Sequence, residues 1–318
     1  MDIPSVIKEK ILITGSKGLI GQSLKDRLYT LGFEFKGIDS AYPSNHLEFG
    51  DIHDIELLRN LASECTGIVH LAGVSRVIAG EKDPSLCWDS NVEATQKILE
   101  VAKNSPSNPW VIYASSREVY GQQDKLPVKE DAALLPLNIY ARSKVAAEKL
   151  VLDYRNKGLQ TAIVRFSNVY GSIYDHPDRV IPAFCNVAAF GGTIRIDGGH
   201  NIFDFTYIDD VISGVIKVID KLRNGSFDLP AFHLTSGQGT TLLQAAELAK
   251  SVSKKPIEFI HAPSRSFDVS TFYGDPTLTS SLLGWKTKVT IQEGIEKLVK
   301  DFKDIVLPHD EYIHSLAR

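Results

Sequence analysis

Only three cysteines occur in the 318 residues, Cys65, Cys87 and Cys185. Their spacing matches neither a disulfide framework nor a metal motif. They read as reduced, partly buried thiols of a cytoplasmic protein, and no metal is expected. Long apolar runs are also missing. The longest, Val180 to Phe190, is broken by Pro182 and Asn186, well short of the roughly 20 residues that cross a bilayer. The opening stretch Met1 to Lys10 has no apolar segment of the kind that marks a secretory signal. Neither sign of charge dominates: 35 Lys and Arg against 39 Asp and Glu give a net charge of −4. That balance offers no electrostatic attraction for nucleic acid or an anionic membrane, so neither is expected as a partner. Repeats and low-complexity linkers are absent as well. What remains is an ordinary globular composition, 43% hydrophobic and 23% charged, with enough length for one large domain or two moderate ones.

The apolar pattern alternates between two periods. Ile11-Leu12-Ile13-Thr14 is a short apolar run ending in glycines, as a buried strand does. Leu19, Ile20, Leu24, Leu28 and Leu31 follow at roughly helical spacing. Phe33 to Ile38, Gly67 to Leu71, Trp110 to Ala114 and Thr161 to Phe166 read as further strands. Helices are predicted around Ile55, Leu58 and Leu61, over Asn91 to Lys103, and over Tyr140 to Asn156. Strands alternating with helices imply an α/β fold, a Rossmann-like doubly wound parallel sheet covered on both faces. After about Gly171 turn glycines and prolines mix with short elements, which suggests a smaller C-terminal α/β substrate-binding lobe. The expected division is a cofactor domain over 1–170, joined by part of 204–235, and a lobe made of 171–203 and 236–318.

Chemistry-bearing residues fall at telling places in this order. The first strand runs into Thr14-Gly15-Ser16-Lys17-Gly18-Leu19-Ile20-Gly21. There Gly15 permits a tight turn, Gly18 lets a phosphate approach the backbone, and Gly21 lets the helix pack against the sheet. A helix N-terminus in that position offers free N–H groups to a pyrophosphate. Asp39 ends the second strand about 18 residues past Gly21, near the roughly 20 expected of an acid that binds ribose hydroxyls. A carboxylate there repels a 2′-phosphate, so NAD is favoured over NADP. Farther on, Tyr140 and Lys144 stand four residues apart, on one face of a helix. A nearby ammonium favours the phenolate form of a tyrosine, which can then take a proton from a hydroxyl. Ser116 supplies a hydroxyl upstream.

Assembled, the chain resembles the extended short-chain dehydrogenase/reductase family, in its NAD-dependent nucleotide-sugar epimerase/dehydratase branch. The landmarks come in order: the Gly15/Gly18/Gly21 loop, Asp39, Asp51-Ile52, His70-Leu71-Ala72-Gly73, Asn91-Val92, Ser115 to Gly121 and Tyr140-x-x-x-Lys144. Arg165 to Gly171, Asp204 to Val211 and Leu283-Gly284-Trp285 complete the series. The resemblance implies a catalytic Ser116, with Tyr140 as general base and Lys144 supporting it. It implies NAD contacts from Gly15, Gly18, Leu19, Ile20, Gly21, Asp39, Asp51, Ile52, Leu71, Ala72, Gly73, Asn91, Ser115, Tyr140 and Lys144. Ser75, Ser116, Asn168 and Arg265 would touch a nucleotide-diphosphate sugar. A homodimer through the helices after Asn91 and from Tyr140 is also implied, although the apolar positions of those helices serve equally well as core. His70, at a strand end, reads as a core residue.

Two positions depart from the family's pattern. Phe203 stands where an arginine usually faces the substrate diphosphate, with Arg117, Arg179 and Arg195 as candidate substitutes. Arg117-Glu118 replaces the Asp-Glu pair of the sugar 4,6-dehydratases, and an arginine does not donate a proton at neutral pH. The expected activity is therefore 4-epimerisation through a transient 4-keto-sugar. Elimination or decarboxylation using Glu118 as a further catalytic residue, net dehydrogenation or reduction, and a non-catalytic NAD-sensing homologue remain as alternatives.

Overall fold

The computed structural model describes residues 9–265 and 269–304. Residues 1–8 of the opening stretch read above for a secretory signal lie outside them. The chain divides into two compact units. One comprises Met1–Val119, Asn138–Val164 and Ile216–Ala231, the other Tyr120–Leu137, Arg165–Val215 and Phe232–Arg318.

The first unit alternates as its apolar pattern requires: β1 (Lys10–Thr14), α1 (Leu19–Thr30), β2 (Glu34–Ile38), α2 (Ile55–Ala62), β3 (Gly67–His70), α3 (Val77–Lys82), α4 (Pro84–Trp88), α5 (Ala94–Asn104), β4 (Trp110–Ser116), α6 (Ile139–Asn156) and β5 (Thr161–Phe166). The strands are ordered β2-β1-β3-β4-β5. β1 pairs in parallel with β2 on one side, Thr14 opposite Ile38, and with β3 on the other, Thr14 opposite His70. A single parallel bridge from Asp39 to Phe49 extends the β2 edge. All seven residues of β4 and all four of β3 are buried, the signature of a parallel sheet covered on both faces. Leu12, Ile68, Val111 and Ile163 from the strands meet Leu58, Ile98, Leu99 and Val151 from the helices in one core. Each such side chain contributes about 1.5–3 kcal/mol when fully buried. The chain crosses from one side of β1 to the other between β2 and β3. At this switch point the carboxyl ends of two neighbouring strands diverge and leave a crevice.

The helix expected from Asn91 begins differently. A single π turn, Asp89–Glu93, precedes α5 and buries Asn91 and Val92; such wide turns recur at functional sites. The short α3 and α4 had no counterpart in the periodicity. Asp83 caps α4, its carboxylate accepting from the Leu86 N–H, and Pro84 opens the helix, as proline does where no amide donor is needed.

The second unit contains β6 (Asn168–Tyr170), α7 (Val180–Phe190), β7 (Gly192–Asp197), β8 (Ile202–Tyr207), the start of α8 (Ile208–Arg223), β9 (Phe232–Leu234), β10 (Gly239–Thr241), α9 (Leu242–Ser251), β11 (Ile257–Ala262), α10 (Thr277–Leu283) and α11 (Ile291–Asp304). β8 lies between β10, antiparallel, and β6, parallel. β7 and β11 form a parallel pair. Two acids of the Asp204–Val211 segment have structural work here. The fully buried Asp204 carboxylate accepts from the backbone of Ser236 at 2.7 Å and of Gly237 at 2.9 Å, and from the Ser236 hydroxyl at 2.8 Å. Asp210 accepts from the Lys288 and Val289 amides, and its carbonyl accepts from the Trp285 indole.

Candidate active site

The turn after β1 is built for close backbone approach. Gly15 has φ +73°, and a Cβ there would stand 2.7 Å from the Ala72 nitrogen. Only glycine combines that backbone with that contact. A Cβ on Gly21 would collide with the Gly15 carbonyl and the Ser16 backbone, whereas one on the exposed Gly18 would meet nothing nearer than the Gly15 oxygen at 3.4 Å. Gly18 caps α1, and no side chain bonds that helix end. Leu19 and Ile20 form the first turn and are half-buried. The Asp39 carboxylate accepts from the Lys17 amide at 3.0 Å through one oxygen and from the Ala41 amide at 2.9 Å through the other. A carboxylate has about four lone-pair sites, so its remaining acceptor capacity is held in a fixed orientation.

Beside this turn lies the segment after β3. Leu71 and Ala72 are half-buried, Gly73 and Ser75 exposed. A buried relay fastens it. The Ala72 amide donates to the Thr14 hydroxyl at 3.2 Å, which contacts His70 Nδ1 at 2.7 Å; His70 Nε2 contacts the Thr95 hydroxyl at 3.0 Å, and Thr95 donates to the Asn91 carbonyl at 2.7 Å. Thr95 has one proton and spends it on Asn91. Nε2 of His70 is therefore the protonated nitrogen, and Nδ1 accepts from Thr14. Complete burial pushes the His70 imidazole down to about 3, so it stays neutral. This is a core histidine tying β1, β3 and the π turn together. The Asn91 side-chain amide donates to the Val74 carbonyl and the Ser143 hydroxyl, while its Oδ1 is buried with no hydrogen-bond partner. That oxygen lies where a Cβ on Gly73 would be. Asp51 is exposed and accepts from the His53 amide; Ile52 is half-buried.

The end of β4 holds α6 by consecutive residues. The Lys144 ammonium donates to the Ala114 carbonyl at 3.0 Å, Ser115 donates to Glu148 at 2.5 Å, and the Ser116 hydroxyl oxygen accepts from the Glu118 amide at 3.2 Å. Tyr140, Lys144 and Glu148 recur every four residues and share the buried face of α6. Lys144 Nζ lies 5.9 Å from the centre of the Tyr140 ring and 5.1 Å from that of Tyr113. Burial pulls the Lys144 ammonium down to about 8, with Cys87 and Glu148 opposing, so it still carries its charge at neutral pH. Asn138 caps α6, its Oδ1 accepting from the Ala141 amide at 2.8 Å. Asn138 and Glu148 were not singled out from the sequence. The signals were present: a capping residue directly before a helix, and an acid one turn past Lys144 on the same face.

The remaining expected residues belong to the second unit. Asn168 opens β6, its Oδ1 buried without a hydrogen-bond partner. Arg265 is exposed and pairs with Asp197 at 3.7 Å; Arg195 bonds the same carboxylate at 2.7 Å, and Arg179 lies 3.4 Å from Asp175. Phe203 is buried edge-on against Phe205.

A doubly wound sheet with this glycine turn, and a Tyr-Lys helix clamped to the end of β4, define the extended short-chain dehydrogenase/reductase class. Residues 11–228 match the NAD dependent epimerase/dehydratase family, and the chain belongs to it. It is 31% identical to an uncharacterised protein of Methanocaldococcus jannaschii, over 92% of this chain and 96% of the relative. A UDP-glucose 4-epimerase of Cyamopsis tetragonoloba is 27% identical over 92% of this chain and 93% of its own. Among solved structures, the UDP-glucose 4-epimerase of Thermotoga maritima with UDP-glucose superposes with a TM-score of 0.83 at 26% identity, covering 92% of this chain and 98% of that one.

Proposed function

We propose that the protein is an NAD-dependent nucleotide-sugar 4-epimerase. The observation that carries this reading is the burial of Lys144, held on the Ala114 carbonyl with its ammonium 5.9 Å from the Tyr140 ring, two residues along the chain from Ser116. The first unit fits a dinucleotide. Gly15 to Gly21 and the side-chain-free start of α1 would receive the pyrophosphate, with Leu19 and Ile20 in the first turn. Asp39 would bind ribose hydroxyls and Asp51-Ile52 the adenine. Leu71, Ala72, Gly73, Asn91 and Ser115 would line the nicotinamide half, where Asn91 Oδ1 waits as a buried acceptor. What NAD supplies when bound is a reversible hydride acceptor for the sugar carbon.

The chain's own residues handle the proton. Ser116 would orient the reacting hydroxyl, its oxygen already accepting from the Glu118 amide and its hydrogen free to donate. Tyr140 would take the hydroxyl proton as phenolate and give it back when the carbonyl is reduced. Lys144 would stabilise the phenolate and hold the nicotinamide ribose. Ser75, Asn168 and Arg265 are assigned to the nucleotide sugar, for which the relatives' UDP-sugars are the first candidates. In this assignment 1–170 serves the cofactor, and 171–203 with 236–318 serves the substrate nucleotide. Phe203 removes the usual cation, so Arg265, now on Asp197, would have to change partners to meet a diphosphate.

Assembly as a cytoplasmic homodimer is part of the proposal. Among the described residues no helix is long and apolar enough to cross a membrane, and Leu86, Trp88 and Leu152 leave apolar surface exposed on α4 and α6. The direct test is a panel of UDP-, GDP-, dTDP- and CDP-sugars with NAD, products read by NMR. A C4 epimer of unchanged mass is expected. Loss of water or carbon dioxide, or accumulation of NADH, contradicts the reading.

A further inference from the structure

Glu118 follows the strand that carries Ser116 and is the only acid in the stretch Ser115 to Gly121. Its surroundings hold it in place. The side chain is buried, and both carboxylate oxygens are engaged: Oε1 with the Arg117 guanidinium at 2.8 Å, Oε2 with the Asn138 side-chain amide at 3.2 Å. A carboxylate has about four lone-pair sites, and these two contacts spend one on each oxygen to fix its orientation. The ion pair to an adjacent arginine, itself buried, and the Asn138 amide hold this carboxylate in one orientation.

The partners of residue 118 are more informative than its burial. Its backbone amide donates to the Ser116 hydroxyl oxygen. Its carboxylate holds Asn138, whose other side-chain atom caps α6 by accepting from Ala141. Tyr140 lies two residues past that cap. One residue thus touches the hydroxyl donor of the site directly and the first turn of the tyrosine helix through one intermediary. Of the three bonds that tie α6 to the end of β4 and the residues after it, at Asn138, Lys144 and Glu148, that of Asn138 lies nearest to Tyr140 along the chain; the Ile139 amide separately donates to Glu81 of α3 at 3.0 Å.

We propose that Glu118 is a positioning residue: through Asn138 it sets Tyr140 against Ser116, and it takes no proton during the reaction. This rests on the assignment of Tyr140 as base. Turnover of Tyr140→Phe tests that assignment, whereas the variants below keep Tyr140 and are compared with the unaltered enzyme on one substrate, so the two can fail separately.

The experiment measures kcat, KM and product identity for Glu118→Ala, Glu118→Gln, Asn138→Ser and the double variant Glu118→Ala/Asn138→Ser. Serine caps a helix as well as asparagine does, so Asn138→Ser keeps α6 capped while removing the amide that binds Glu118. Small misplacements at a reacting centre lower rates by on the order of 100-fold. Glu118→Ala and Asn138→Ser are each expected to lower kcat on that order with KM within about threefold, the pattern of lost transition-state geometry. The double variant should be no worse than the weaker single, because both changes delete one bond. Glu118→Gln still offers an oxygen to Asn138 and should recover kcat to within about tenfold of the unaltered enzyme, by the same geometric argument. The C4 epimer should remain the product throughout. The proposal is overturned if Glu118→Gln is as inactive as Glu118→Ala while Asn138→Ser works normally, or if the two single losses multiply in the double variant. Should Glu118→Ala not fold, Asn138→Ser and Glu118→Gln decide between these outcomes without it.

Discussion

At the scale of single residues, the account rests on where two protons sit. In the proposed mechanism Tyr140→Phe removes the atom that accepts the substrate proton and leaves the apolar ring, so kcat should fall by about 100- to 10,000-fold, the range general acid–base groups supply, with thermal stability nearly unchanged. Turnover close to that of the unaltered enzyme would end the assignment. Lys144 gives a pH prediction. Its ordinary value of 10.5 is pulled to about 8 by burial, so the ammonium is present below that pH and lost above it. With NAD supplied, kcat/KM should bend downward near pH 8 rather than near 10.5. A profile flat to pH 10 would contradict it. The neighbouring Arg117-Glu118 pair shows what residue types alone leave open: an acid two residues past Ser116 can read as a base, and only the structure shows its carboxylate held by Arg117 and Asn138.

At the scale of elements, the glycine turn separates fold from ligand. Gly18→Ala has room for its methyl group, so stability should change by no more than about 1 kcal/mol, while NAD affinity measured by calorimetry should fall, because the proposed pyrophosphate site brings the ligand against that methyl. Gly21→Ala forces a carbon into the Gly15 carbonyl and should destabilise the unliganded protein by about 1–3 kcal/mol. Equal melting temperatures for the two variants would refute this division. The His70 relay, which fastens β1, β3 and the π turn, has its own signature. The unfolded chain binds a proton near pH 6.5 that the native protein refuses until about 3. Stability from this burial is complete above about 6.5 and declines as pH falls toward 3. Between pH 7 and 4.5, denaturant unfolding should show the unaltered protein losing about 2–3 kcal/mol more than His70→Leu. Equal losses would mean that His70 titrates normally in the fold. Much of this layer was legible in advance. β1, β3 and β4 are buried on both faces and so spell continuous apolar runs, and the eighteen-residue α6 matches the helix predicted over Tyr140 to Asn156 to within one residue. The helices α3 and α4, of six and five residues, are too short to repeat an apolar face. The π turn carries no distinct sequence period either.

For the whole molecule, family membership and the intact Ser116, Tyr140 and Lys144 argue for catalysis rather than cofactor sensing, while fold alone does not choose the reaction. In the proposed reading Arg117 and Glu118 bear on that choice. A dehydratase reading needs a base to take a proton from carbon and a decarboxylase reading a donor to return one to carbon, whereas the Glu118 carboxylate is held by Arg117 and Asn138 and is proposed to position Tyr140. Tyr140 is left to exchange protons with oxygen only, so no hydrogen attached to carbon should reach solvent. Incubation of the UDP-sugar substrate with enzyme and NAD in deuterium oxide, followed by proton NMR of the product, measures that directly. The account predicts a C4 epimer with protium retained at every carbon. Deuterium at C5, or a product lighter by water or carbon dioxide, would contradict it.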